Sequence, residues 1–112
     1  MFLLKVLFPQ PRTPMLSRQA TVTAAVGLHA RPAAVFVRAV VHTGLPVTVA
    51  HPGQDPVDAR SLLEVMTADF CCGAVVELRV AAPVTDEAAA ERALERLAEL
   101  LATDLSDPAR DS

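Results

Sequence analysis

The sequence predicts an α+β fold, an open-faced sandwich in which a four-stranded antiparallel sheet carries three helices on one face. Four short segments alternate apolar and polar residues, a pattern typical of strands with one face in solvent. Three other segments carry helix start signals or apolar residues at helical spacing. The 112 residues have the usual length of a single domain, so one hydrophobic core is expected. The predicted element order is βαββαβα.

The first strand and the first helix flank a glycine. Residues 19–25 (QATVTAA) alternate small apolar residues with threonines and predict a half-buried strand, which Gly27 ends. Pro32 suits the first turn of a helix, where its missing N–H is no loss. The helix is predicted to run to Gly44, a residue type common directly after helices. The β-branched residues of this segment would also suit a strand, but the flanking proline and glycine and the length favour a helix.

A hairpin and a short helix follow. Residues 45–50 (LPVTVA) predict the second strand, residues 51–56 (HPGQDP) have turn chemistry, and residues 57–59 predict a short third strand. Ser61 and Glu64 have the spacing of a capping box, in which each side chain accepts a hydrogen bond from the other's backbone N–H. We therefore expect a short helix to begin at Ser61.

The last strand and the last helix complete the pattern. Residues 74–81 (AVVELRVA) predict a strand with Glu77 and Arg79 on its solvated face. Thr85 is the predicted N-cap of the final helix, which covers residues 86–102. One face of this helix carries an apolar stripe, formed by Ala90, Leu94, Leu97 and Leu101.

Three regions are predicted along the chain. Residues 1–15 are expected to be a disordered extension or a misannotated start, since Met15 offers an alternative initiation site and the apolar run before Pro9 is too short to span a bilayer. Residues 16–103 form the predicted domain, and residues 104–112 a frayed tail. The net charge of −3 and the scattered cations do not favour nucleic-acid binding. We expect a cytoplasmic monomer without membrane insertion.

The two cysteines are adjacent, at Cys71 and Cys72. A disulfide between neighbouring residues is strained, and the sequence has no cysteine and histidine spacing typical of zinc sites. Small buried side chains in a reducing compartment are the favoured interpretation, and a redox role is the alternative.

The candidate functional residue is His29, in the segment GLHARPA (27–33). It lies where a strand gives way to a helix, with Arg31 two residues on. Unpaired N–H groups and the dipole make a helix start an anion site. A neutral imidazole there could attack phosphorus, hold the phosphoryl group beside a guanidinium and pass it on. Taken alone, these residues also fit a histidine that only caps a helix. We assign no role to His42 and His51.

Two stretches carry a resemblance to a known family. GLHARPAAVFV (27–37) resembles the active-site stretch of the HPr family, the histidine-containing phosphocarriers of the bacterial phosphoenolpyruvate-dependent sugar phosphotransferase system. SLLEVM (61–66) and GAVVELRV (73–80) resemble the regulatory-serine helix and the last strand of that family. The resemblance covers about residues 16–102 and implies the HPr fold.

The resemblance implies a phosphoryl carrier that needs no cofactor or metal and is not an enzyme in its own right. His29 would be phosphorylated on Nδ1 by phosphorylated enzyme I and would donate to the A component of a sugar permease. Arg31 would neutralise the phosphate, helped by the backbone N–H groups of Ala30 and Arg31. Docking to these partners would use the two nearby helices through Ala34, Arg38, Leu62, Leu63 and Met66.

Ser61 has two interpretations that are compatible with each other. Ser61 is predicted to be the N-cap of the short helix, and the resemblance implies that it is also a regulatory phosphorylation target where an HPr kinase/phosphorylase exists. The alternative is that it is an N-cap only. Glu64 departs from the glycine or basic residue usual in the family at that place, and its carboxylate would repel a phosphoserine. Residues 69–72 replace a loop that commonly contains glycine. Val26 replaces a small polar residue that usually caps the first helix.

Two functions therefore remain open. The first is phosphoryl transfer in sugar uptake, or in a dihydroxyacetone or nitrogen-linked phosphotransferase chain. The alternative is a regulatory binding module, read by a transcriptional regulator or a kinase through the phosphorylation state of Ser61 or His29.

Overall fold

The computed structural model describes residues 16–81, 83–103 and 105. The predictions for residues 1–15, and for all of the tail but Leu105, lie outside the described residues. Leu105 itself is buried in the core. The elements follow the predicted order: β1 (Ser17–Thr21), α1 (Ala30–Thr43), β2 (Val47–Ala50), β3 (Val57–Asp58), α2 (Leu62–Thr67), β4 (Val75–Val80) and α3 (Glu87–Leu101).

The strands form one antiparallel sheet in the order β1-β4-β2-β3. Strands β4 and β2 are the inner strands, and in β4 Arg79 faces Ser17 of β1 on one side and Thr48 of β2 on the other. The helices pack on one face of this sheet. The predicted α+β open-faced sandwich is therefore confirmed.

Strand β1 runs over Ser17–Thr21, so it both begins and ends earlier than the predicted residues 19–25, because its pairing with β4 covers only those five residues although the alternation continues. Val22 and Ala24 are buried as the pattern of residues 19–25 requires. The backbone N–H of Thr23, however, donates to the carbonyl of Leu101 at the end of α3, over 3.1 Å. Side-chain alternation thus predicted burial correctly, but a long-range hydrogen bond decides where the strand ends.

The core lies between the sheet and the helices. The apolar stripe predicted for α3 is buried throughout, and the alternation of β4 is confirmed because Val76, Leu78 and Val80 are buried. On the outer face of β4, the half-buried Glu77 and Arg79 form an ion pair of 2.7 Å between Oε1 and Nη2. The largest fully buried side chains are Phe36 and Phe70.

The end of α1 and the start of α3 test two predicted caps. Gly44 follows α1 with a φ of 72°, the left-handed conformation expected of a glycine there. Thr85 was the wrong residue for the start of α3. Asp86 is the N-cap, and its Oδ1 accepts from the N–H of Ala89 at 3.0 Å. A carboxylate there also carries negative charge at the positive end of the helix dipole, which a threonine does not.

One of the two hydrogen bonds predicted for the capping box of α2 is present. Ser61 is the N-cap, and its Oγ accepts from the backbone N–H of Glu64 at 3.2 Å. The reciprocal bond was predicted wrongly. Oε1 of Glu64 accepts from the N–H of Asp58 in β3, at 3.0 Å. The N–H of Ser61, which the capping box would pair with Glu64, donates instead to the carbonyl of Asp58 at 3.0 Å.

No helix in the described ranges is long and apolar enough to cross a bilayer. Across the same ranges, no group of three or more histidine, cysteine and acidic side chains is arranged to hold a metal ion.

Candidate functional site

His29 is the N-cap residue of α1. Its backbone is extended, with φ −131° and ψ 156°, and its side chain makes no capping hydrogen bond to the helix. The imidazole is 37% exposed. Ala30, the first helical residue, has a φ of 52°, which is uncommon for a residue with a Cβ. The sequence therefore placed His29 correctly at the start of the helix, and its ring is left available for chemistry.

The turn before His29 lies directly against the loop that follows α2. Gly27 has a φ of 71°, and a Cβ built there would lie 2.5 Å from the carbonyl oxygen of Phe70. The N–H of Leu28 donates to that same oxygen at 2.8 Å. Leu28 is fully buried. Only a glycine allows this close approach, so the glycine fixes the distance between the two loops that build the site.

Asp69 is the residue that this approach brings to the histidine. Its Oδ1 lies 2.9 Å from Nε2 of His29. The sequence signalled only that residues 69–72 depart from the family's glycine-containing loop, and it did not indicate a contact with His29. Asp69 has a φ of 58°, a conformation that aspartate tolerates better than most residues with a Cβ. The carboxylate is therefore a contact of the candidate histidine that the sequence did not reveal.

The residues on both sides of Asp69 are anchored. Nε2 of His51 lies 3.2 Å from the carbonyl oxygen of Ala68, and the His51 ring packs on the buried Phe70 ring with centroids 4.5 Å apart. The N–H of Asp69 donates to the carbonyl of Met66 at 3.2 Å. His51, which had no predicted role, thus holds the loop that carries Asp69.

The prediction that the cysteines are buried is wrong. Cys71 and Cys72 are both exposed free thiols, because Phe70 is the residue of this loop that fills the core. Sγ of Cys71 lies 3.9 Å from Oδ1 of Asp69, and Sγ of Cys72 lies 3.8 Å from the carbonyl oxygen of Thr23.

The other predicted residues lie on α1 and α2, which contact each other. Arg31 is exposed in the first turn of α1, next to the buried Pro32. Of the predicted docking residues on α1, Ala34 is half-buried and Arg38 is exposed. On α2, Leu62 and Leu63 are exposed, whereas Met66 packs partly against the core. Ser61, at the start of α2, is half-buried.

The fold and the site together define a class, that of small α+β open-faced sandwiches with a half-exposed histidine at the start of the first helix. The family model described as the PTS HPr component phosphorylation site matches residues 16–103. Phosphocarrier protein HPr of Streptomyces coelicolor is 44% identical over 93 residues, 83% of this chain and 95% of that protein. The same protein of Vibrio cholerae is 35% identical over 74 residues, 66% of this chain and 86% of that one.

Solved structures of HPr proteins have a similar fold. The crystal structure of a phosphocarrier protein HPr from Bacillus anthracis matches with a TM-score of 0.66 at 28% identity, over 78% of this chain and 96% of that chain. HPr-C-His from Thermoanaerobacter tengcongensis matches with a TM-score of 0.63 at 28% identity, over 80% and 98% of the two chains. The chain belongs to the HPr family and is a phosphocarrier of the phosphotransferase system.

Proposed function

We propose that this phosphocarrier accepts a phosphoryl group on Nδ1 of His29 from phosphorylated enzyme I and passes it to the A component of a sugar-specific permease. The observation that carries the proposal is the place of His29, half-exposed at the start of α1 in a chain that belongs to a phosphocarrier family. The protein acts as a carrier and not as an enzyme in its own right, and it works in the cytoplasm.

The helix start supports a negatively charged adduct on His29. Backbone N–H groups in the first turn of a helix point toward an anion placed at its N-terminus, and the helix dipole favours the negative charge. The N–H groups of Ala30 and Arg31 belong to this turn. The guanidinium of Arg31 adds a permanent cation that can pair with phosphate oxygens. These groups neutralise charge, while the imidazole forms the bond to phosphorus.

The exposed apolar residues of α2 support a docking surface beside His29. Leu62 and Leu63 are 41% and 76% exposed, and α2 packs next to the helix that His29 begins. Together with Ala34, Arg38 and the exposed edge of Met66, they form the surface that we assign to enzyme I and to the permease A component. Exposed apolar side chains grouped in this way are typical of partner sites.

The test is phosphoryl transfer from phosphoenolpyruvate through enzyme I. The protein, incubated with enzyme I and labelled phosphoenolpyruvate, should take up an acid-labile and base-stable phosphate, as expected of a phosphohistidine. His29→Ala should abolish the label. His42→Ala is the matched control, because His42 is an exposed histidine near the other end of the same helix. Label that survives in His29→Ala, or no label on the wild type from a competent enzyme I, contradicts the proposal.

Ser61 is proposed as a second phosphorylation site, one that regulates exchange with enzyme I. Its hydroxyl lies at the start of α2 next to Leu62, so a phosphate there would alter the proposed docking surface. Its test is an acid-stable phosphate formed with HPr kinase and ATP and absent in Ser61→Ala. If none forms, Ser61 is an N-cap only.

A further inference from the structure

We propose that Asp69 is a positioning residue for His29. Its carboxylate holds the imidazole with the proton on Nε2 and the lone pair on Nδ1, and it stabilises the positive charge that the ring gains when Nδ1 is phosphorylated. This inference rests on the proposed phosphorylation of His29, and it adds a residue that acts through the imidazole.

The hydrogen bond decides which ring nitrogen can act as the nucleophile. A carboxylate has no proton to donate, so across the 2.9 Å between the two atoms Nε2 of His29 donates and Oδ1 of Asp69 accepts. A neutral imidazole carries one proton. With that proton on Nε2, Nδ1 has the free lone pair. Nδ1 can therefore attack phosphorus without first losing a proton, and it is in this state before any partner binds.

Asp69 is held firmly enough to orient the ring. The carbonyl of Ala68 before it is bound by His51, and the carbonyl of Phe70 after it accepts from Leu28, the residue preceding His29. Since Phe70 is buried in the core, the carboxylate and the imidazole are tied to one rigid frame. The two side chains are 37% and 68% exposed, so solvent weakens their attraction but leaves the geometry in place.

The carboxylate also matches the charge change of the transfer step. Nδ1 attacks phosphorus with its lone pair, and the bond from phosphorus to the donor breaks, with its electron pair returning to the donor. The ring keeps its proton on Nε2 and becomes a phosphorylated imidazolium. No proton has to move. The positive ring is paired with the carboxylate of Asp69 through a charge-assisted hydrogen bond, and onward transfer to an acceptor restores the neutral ring.

The test compares Asp69→Gly with the wild type in two independent measurements. Glycine adopts a positive φ without strain, so the variant should fold. Asp55→Asn is the control, because it removes an exposed carboxylate from the loop between β2 and β3. In a one-bond ¹H–¹⁵N spectrum of the ring nitrogens, assigned with His29→Ala, the wild type and the control should show the Nε2–H of His29. In Asp69→Gly this signal should disappear through exchange with water.

The second measurement is the initial rate of phosphoryl uptake from phosphorylated enzyme I. Asp69→Gly should be slower by roughly three- to tenfold, the effect of one hydrogen bond that is partly exposed. The control should keep the wild-type rate. If Asp69→Gly retains the ring signal, or accepts phosphate at the wild-type rate, the inference is overturned. Absence of label on the wild type would instead overturn the proposed function, so the two failures can be told apart.

Discussion

Gly27 is the residue on which the geometry around His29 depends most directly. Its left-handed backbone turns the chain toward α1, and its missing side chain admits the carbonyl oxygen of Phe70. Through Leu28 and Phe70 the same contact brings Asp69 to the imidazole. A residue without a side chain thus helps to set how the side chains of His29 and Asp69 meet.

Replacing Gly27 with alanine should be more destabilising than the same change at Gly53. Both glycines have a positive φ, of 71° and 77°, but only the Cβ at position 27 meets backbone, 2.5 Å away. We expect Gly53→Ala to lower the free energy of unfolding by about 1 kcal/mol and Gly27→Ala by about 3 kcal/mol. Urea unfolding of both variants measures the difference. Equal losses of unfolding free energy in the two variants would show that the close approach of Phe70 to position 27 does not contribute to stability.

The short helix α2 is held at its start by two different devices. Ser61 caps it from within, and Glu64 reaches out of it to the backbone of Asp58 in β3. Asp58 also accepts two hydrogen bonds from the side chain of Arg60, of 3.0 and 3.2 Å, and one from its backbone N–H. The β3–α2 connection is therefore a small network of polar hydrogen bonds. A substitution at any of its residues should lower the stability of the start of α2.

Ser61→Ala should lower the free energy of unfolding by about 1 kcal/mol, the usual effect of losing an N-cap. Ser61→Asp should stay within a few tenths of a kcal/mol of the wild type, since aspartate caps as well as serine does. Urea unfolding at neutral pH tests both. The comparison separates the structural role of the hydroxyl from any role in phosphorylation, because the aspartate variant keeps the cap. A stable alanine variant would contradict the capping role.

Arg60→Ala should destabilise the protein at pH 7 but not in acid. The side-chain hydrogen bonds from Arg60 are the largest cause that holds the pKa of Asp58 below its ordinary value, and the backbone N–H of Arg60 adds to them. A lowered pKa in the folded state gives stability above the ordinary pKa that is lost as the pH falls through the lowered one. The gap in urea midpoint between wild type and variant should therefore begin to narrow below about pH 4, the ordinary pKa of aspartate, and close once Asp58 is also protonated in the folded state. A gap that persists in acid would contradict this origin.

At the scale of the whole molecule, the chain between β1 and α1 is fastened to the end of α3. The hydroxyl of Thr23 lies 3.0 Å from the carbonyl oxygen of Leu101 and 2.8 Å from that of Thr103, and its backbone N–H also donates to Leu101. The final carbonyls of a helix have no partner within it. Thr23 therefore caps the carbonyl of Leu101, the last residue of α3, from a segment far away in sequence.

Thr23→Val should lower the free energy of unfolding by about 1 to 2 kcal/mol, because valine keeps the shape and leaves the helix-end carbonyls without the hydroxyl donor. Thr21→Val is the matched control, an exposed threonine in β1, and it should change stability little. Thermal or urea unfolding compares them. Equal effects of the two substitutions would show that the hydroxyl of Thr23 does not stabilise the end of α3.

The sequence was sufficient wherever the cause of a structure is local. Gly44, the Ser61 cap and the buried stripe of α3 follow from residues a few positions apart, and all are confirmed. The early end of β1 and the partner of Glu64 depend on hydrogen bonds to other elements, and the sequence pattern missed both.

The same distinction applies to the site. Its position at the start of α1 could be predicted from GLHARPA, whereas the carboxylate of Asp69 comes from a loop 40 positions along the chain. Nothing in the spacing of either segment indicates the other. Their meeting depends on the buried Phe70 and on the bare backbone of Gly27, which are features of the packed molecule.

The hydrogen bond between Leu28 and Phe70 joins a segment near the first helix to one after the second. A helix as short as α1, of 14 residues, is marginal by itself in water, and an isolated GLHARPA peptide has no second loop to meet. An incompletely folded chain therefore presents an ordinary, freely rotating histidine. The pairing of His29 with Asp69 therefore exists only in the folded molecule, and we expect the proposed phosphorylation of His29 to require the complete tertiary structure.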